Sequence, residues 1–167
     1  LGTGAQVSTL EDRWTPQEAE TRPYFSDNML TTITHIPGGR ALAEHVEFLG
    51  EVSGQTEAIW QRLAACQIDD IQTSTLQFGL SLFPSARGYT DGGYIRHIGE
   101  GTWTLDNYLC SLLRTFVRQY VDIMRLFDPR DQMEEVLLSG GIARRLPIIQ
   151  QLVEADTQYA AQGAAQI

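Results

Sequence analysis

Glu134-Glu135-Val136-Leu137-Leu138-Ser139-Gly140-Gly141-Ile142-Ala143-Arg144-Arg145-Leu146-Pro147-Ile148-Ile149-Gln150-Gln151-Leu152 is the stretch on which the reading of this chain turns. An apolar run of strand length ends at a glycine pair and passes within a few residues into a helical pattern. The backbone N–H groups at the helix start therefore face the turn. Glycines let a ligand's sugar and phosphates approach the main chain without meeting a Cβ, and a helix N-terminus favours negative charge. The same residues also suit a plain strand, turn and helix corner that binds nothing.

Upstream of this stretch, Leu105, Leu109, Leu112, Phe116, Tyr120, Ile123 and Phe127 recur at steps of three and four. This spacing predicts a long scaffold helix that starts at Thr102 or Thr104 and stops at Asp128-Pro129-Arg130. Residues 76–83 read as a strand ended by Pro84, with a turn-rich segment and a return strand at 94–98. Residues 29–36 are β-rich and end at Pro37-Gly38-Gly39, and 40–49 and 56–67 follow as two helices, the second with Thr56 as its N-cap. Gly38 and Gly39 suit either a tight connection or an approach to a phosphate. Residues 11–28 carry Pro16 and Pro23 and read as a surface excursion. Asp69 and Asp70 read as solvated loop charges, and the small residues of 160–167 as a closely packed helix. The whole is α/β, a mixed sheet flanked by helices.

The chain has 167 residues, enough for one domain with a substantial core. Its formal net charge of −9 argues against a nucleic-acid partner, which needs a basic footprint. No apolar run reaches the length of a membrane span and no signal-peptide pattern opens the chain, so it reads as cytoplasmic and without a membrane partner. All 12 basic residues are Arg, which excludes a P-loop with its phosphate-binding Lys. Cys66 and Cys110 are far apart in sequence and read as two buried thiols. His35, His45 and His97 do not stand at metal-ligand spacing, and no serine occupies a Gly-x-Ser-x-Gly elbow, so no metal site and no self-contained catalytic set emerges.

At the other end, Leu1-Gly2-Thr3-Gly4-Ala5-Gln6-Val7-Ser8-Thr9-Leu10 is a second glycine turn leading into a strand. Gly2-Thr3-Gly4 at one end, Ser139-Gly140-Gly141-Ile142-Ala143-Arg144 near the other, and Ala161-Gln162-Gly163-Ala164-Ala165 at the close together resemble the C-terminal half of an FGGY-type carbohydrate kinase. Gly93, Ile95, Ile98, Asn107 and Ser111 fit the family's signature before its long helix. His97 stands where a Gly is usual there, and Tyr108 where an aliphatic residue is. Arg22-Pro23-Tyr24-Phe25 and Gly38-Gly39-Arg40-Ala41-Leu42 are most similar to sedoheptulokinase-like members.

The resemblance implies the actin-like ATPase (ribonuclease H-like) fold over residues 1–167, as a fragment whose N-terminal sugar-binding domain is missing. It implies ATP with Mg²⁺ as ligand, held by Gly2, Thr3 and Gly4 at the phosphates and by Gly140, Gly141 and Arg144 at the adenosine. The activity implied is transfer of the γ-phosphoryl to a ketose or polyol, with sedoheptulose among the candidates. The general-base Asp is expected upstream of residue 1, so no catalytic residue is assigned and the fragment alone is expected to be inactive. A homodimer stays open. The alternative is a non-catalytic ATP-binding or interaction module of the same fold.

Overall fold

The computed structural model describes residues 5–11 and 19–163. The Gly2-Thr3-Gly4 turn and Ala164 to Ile167 lie outside them. The elements run β1 (Ala5–Glu11), β2 (Glu20–Pro23), a short 3₁₀ turn (Phe25–Asp27), β3 (Met29–Ile36), α1 (Gly39–Ser53), α2 (Thr56–Ala64), α3 (Ile68–Thr73), β4 (Gln77–Gly79), β5 (Tyr94–Arg96), α4 (Leu105–Phe127), β6 (Glu135–Leu138), α5 (Gly141–Arg145), α6 (Ile148–Asp156) and β7 (Ala160–Gly163).

The long helix forms where the periodicity places it. Thr104 is its N-cap, and the Thr104 hydroxyl accepts the Asn107 N–H at 3.3 Å, meeting one of the donors a helix start leaves free. It buries more than the predicted stripe: Tyr108, Leu113, Val117, Val121 and Met124 are covered as well as Leu109, Leu112, Phe116 and Ile123. Helices α2, α3 and α6 and strands β1, β3 and β4 all pack on it, so α4 is the axle of the domain. Asn107 and Ser111 fasten the chain entering β4 to this helix. The Asn107 carbonyl oxygen accepts the Thr75 N–H at 3.0 Å and the Ser111 hydroxyl accepts the Leu76 N–H at 3.1 Å.

The far end of α4 is closed by Asp128, only 6% exposed. Its carboxylate accepts the N–H of Gln132 at 2.8 Å, the N–H of Met133 at 2.7 Å and the Tyr159 hydroxyl at 3.0 Å. These bonds fold the chain back into β6 and hold the Asp128 carboxyl below its usual range, the backbone donors contributing most.

The strands form three small sheets among the described residues, where one mixed sheet was expected. In the first the order is β1-β3-β2, with β3 antiparallel to both neighbours and a register shift between Ala5 and Val7. The second is the antiparallel pair β4-β5, and the third is the parallel pair β6-β7. The division has a physical basis: β1 and β6 stand on either side of a cleft floored by α4, and no ladder of hydrogen bonds joins them.

Three local expectations need correction. Residues 160–163 are a strand, not part of a helix, because α6 holds their backbone: the Gln150 amide donates to Ala161 O at 2.7 Å and Glu154 Oε1 accepts the Ala161 N–H at 3.2 Å. Asp69 and Asp70 lie in the first turn of α3, where carboxylates suit the helix dipole. The N-cap of α2 is Gln55 rather than Thr56, whose side chain sits instead against Gly50, where a Cβ would come within 2.1 Å of its hydroxyl.

Candidate functional site

Between β1 and β6 opens a cleft of about 1340 Å³. One wall is β1 from Ala5 to Leu10, with Thr34, His35 and Gly39 beside it. The other is β6 with the Ser139-to-Arg144 turn. Phe116, Tyr120 and Met124 of α4 and Ile149 and Val153 of α6 make an apolar floor. The volume exceeds that of an ordinary small-molecule pocket.

The glycine turn is built for close approach. Gly140 has φ 106° and ψ 170°, a backbone conformation confined to glycine, and caps α5. A Cβ at Gly140 or Gly141 would meet no atom within 4 Å, so the surface beside both is open to a ligand. The first N–H groups of α5 have no acceptor within that helix and border the same space. Gly39, at the start of α1, faces this turn closely: a Cβ there would lie 2.4 Å from Ile142 Cγ1. Two of the glycine turns read from the sequence, at 38–39 and at 140–141, are thus packed against each other beside the cleft.

Arg144 and Arg145 are neighbours with different tasks. Arg145 pairs with Glu57 at 2.8 Å and lies over the Trp60 ring at 4.1 Å, which fastens α5 to α2. Arg144 is exposed and lines the cleft, so it is the guanidinium placed to meet a ligand there. Sequence spacing alone could not separate the two.

Of the residues assigned from the sequence, Gly140, Gly141 and Arg144 line the cleft, and Gly2, Thr3 and Gly4 lie outside the described residues. Ala5 and Gln6, which follow Gly4 directly, form part of the opposite wall. The structure adds residues the sequence reading passed over. His35 lines the cleft in a left-handed conformation with φ 60°, its ring nitrogen Nδ1 at 2.8 Å from the Thr34 hydroxyl and its carbonyl accepting the Arg87 N–H at 2.7 Å. Glu135 brings a carboxylate and Ser139 a hydroxyl to the wall. The one signal that could have found His35 is its place at the end of a β-rich run, three residues before Gly38 of the Gly38-Gly39 turn.

The other two histidines are elsewhere. His97 is at 3.2 Å from the Gln77 side-chain oxygen. His45 is half-buried, with Nδ1 at 2.7 Å from the Tyr108 hydroxyl and its buried Nε2 without a partner among the described residues. Burial pushes its pKa down to about 4, so it is neutral at physiological pH. Among the described residues no group of three or more His, Cys, Asp or Glu side chains is placed to hold a metal ion, and no helix is long and apolar enough to cross a membrane. Compared with known proteins, the chain matches no protein-family model, no curated protein and no solved structure.

Proposed function

We propose that this chain is the nucleotide-binding half of a carbohydrate kinase of the FGGY type, with an actin-like ATPase fold, and that MgATP occupies the cleft between β1 and β6. The observation that carries this reading is the open, strained Gly140-Gly141 turn on one wall, facing across a single cleft the strand that follows Gly2-Thr3-Gly4 on the other. Backbone amides near Gly2, Thr3 and Gly4, with the Thr3 hydroxyl, hold phosphate oxygens. Gly140 and Gly141 admit the adenosine, and Arg144 covers the base. The Mg²⁺ arrives with the nucleotide. The acceptor is a sugar hydroxyl of a ketose or polyol, sedoheptulose being one candidate, bound mainly by a further domain that also supplies the general base. Transfer of this kind depends on positioning and on neutralising charge at the phosphates.

A second reading, an ATP-binding module without transfer chemistry, draws on the cleft's acid content: Glu135 is the one carboxylate on its described walls. Calorimetric titration with ADP and Mg²⁺ tests the shared part of both readings. The expected result is saturable binding that Gly141→Leu weakens at least tenfold, since a Cβ there meets no protein atom within 4 Å and the longer side chain takes up ligand space. No saturation at millimolar nucleotide would remove both. Phosphorylation of a ketose by the full-length protein separates kinase from module.

A further inference from the structure

Strand alternation and burial disagree at the end of β3. Successive side chains of a strand point to opposite faces, so Ile33 and His35 would share one face and Ile36 would take the other. Instead Ile33 and Ile36, 4% and 1% exposed, lie together in one apolar cluster with Ile123, and His35 is exposed. A bulge reconciles the two. Ala5 pairs with Ile36 and Val7 with Ile33, so Thr34 and His35 together face the single Gln6 across the ladder. His35 takes up the extra step with φ 60° and leaves the core phase for the wall of the cleft.

That conformation is uncommon for a residue with a Cβ and easy for glycine. The surroundings hold it in place. The His35 carbonyl accepts the Arg87 N–H at 2.7 Å, and the Pro37 carbonyl accepts the Gln119 side-chain amide at 2.8 Å and the Tyr120 hydroxyl at 2.9 Å, which ties the following turn to α4. A glycine would serve this backbone with less strain, so the bend alone does not account for a histidine. Its ring suits an anion. On the described part of the β1 wall, His35 is the one side chain that can carry a positive charge, Arg144 lying across the cleft. With Nδ1 at 2.8 Å from the Thr34 hydroxyl, a proton donated by that hydroxyl leaves the neutral ring protonated at Nε2, and the imidazolium is protonated there as well. Either form keeps an Nε2–H donor that no described residue engages.

We propose that His35 is a phosphate-binding residue whose Nε2–H donates to the terminal phosphate of a nucleoside di- or triphosphate, so that the cleft prefers these ligands to a monophosphate. The inference rests on the nucleotide reading above and adds a residue to it. The chain passes from Gly4 directly into Ala5, and Ile36, the partner of Ala5, is the residue after His35. The adenosine is assigned to the opposite wall, so what reaches His35 is the far end of the phosphate chain. A hydrogen bond to a charged phosphate oxygen is stronger than one between neutral groups, and a chain without lysine has few other side chains to supply it.

The test compares MgADP, AMP and adenosine by calorimetry on wild type and on His35→Gly, a variant that suits the left-handed backbone and removes the ring. The variant is expected to lose about tenfold in affinity for MgADP and to bind AMP and adenosine as wild type does. In wild type the His35 ring nitrogens, assigned by triple-resonance NMR, are expected to shift with MgADP and not with adenosine, a readout that does not depend on the variant. An equal loss for all three ligands would make His35 a structural residue and overturn the proposal. Unchanged MgADP affinity, or ring nitrogens indifferent to MgADP, would overturn it too, and each of these results leaves the nucleotide reading standing. Absence of MgADP binding to wild type removes that reading and the proposal with it.

Discussion

Gly140 carries a φ of 106° with ψ 170°, and this single residue concentrates the strain of the proposed site. Gly140→Ala places a Cβ on a conformation that side chains disfavour, at a cost of about 1–3 kcal/mol, although no atom obstructs it. The expected result is a lower urea midpoint and weaker nucleotide binding together, whereas Gly141→Leu leaves the midpoint unchanged and affects binding alone. A Gly140→Ala protein as stable as wild type would show that the turn relaxes without penalty. His45 makes a separate prediction at this scale. Its pKa is depressed from 6.5 to about 4, so between these values the unfolded chain binds a proton that the folded chain does not. Stability is therefore full above pH 6.5 and declines as pH falls towards 4, by roughly 3 kcal/mol in all. Denaturation midpoints measured across that window should slope in wild type and flatten in His45→Gln; an equal slope in both would place the titration elsewhere. Some of this was legible in sequence: Gly140-Gly141 stood out because the dipeptide punctuates an apolar run. His35 and His45 did not, because nothing local tells an imidazole on a cleft wall from one under an aromatic cluster with Phe78 and Tyr108.

At the scale of elements, the helices follow local rules and the strands do not. Helix α4 was readable because its periodicity, its Thr104 cap and its Asp-Pro stop all agree. Strand β7 was misread because its small residues carry no period, and what fixes them as a strand is parallel pairing with β6 and the Gln150 and Glu154 side chains of α6. Such information is non-local. Asp128 joins the two kinds of element, since one carboxylate holds the turn after α4 and the Tyr159 hydroxyl just before β7. Asp128→Ala should lower the Tm and increase hydrogen exchange in β6 and β7 before it does so in α4. Because the folded pKa of Asp128 is depressed, its contribution is present above the unfolded carboxylate pKa and is lost as pH falls through the folded value. A variant whose loss of protection begins in α4 would contradict this account of how the turn is held. Gly50→Ala tests the corner between α1 and α2. Its Cβ would lie 2.8 Å from the Thr56 backbone Cα, so the corner must open, with a loss of about 1–3 kcal/mol read from denaturation.

For the whole molecule, what matters is that α4 supports two walls that share no strand pairing and meet where Gly39 packs on Ile142. The three-stranded sheet rests on its C-terminal half through Ile33, Ile36 and Ile123, and the β6-β7 pair rests on it through α6. The space between them is the cleft. Composition announced an acidic domain and the succession of strand and helix patterns suggested α/β, but neither could announce the gap, because the separation of β1 from β6 depends on how both dock on a third element. Hydrogen exchange of the backbone with and without ADP and Mg²⁺ tests the central claim most directly. The account predicts simultaneous protection of residues 5–10 and of 139–144, the two walls closing on one ligand. Protection confined to one wall, or absent from both while nucleotide binds, would contradict it.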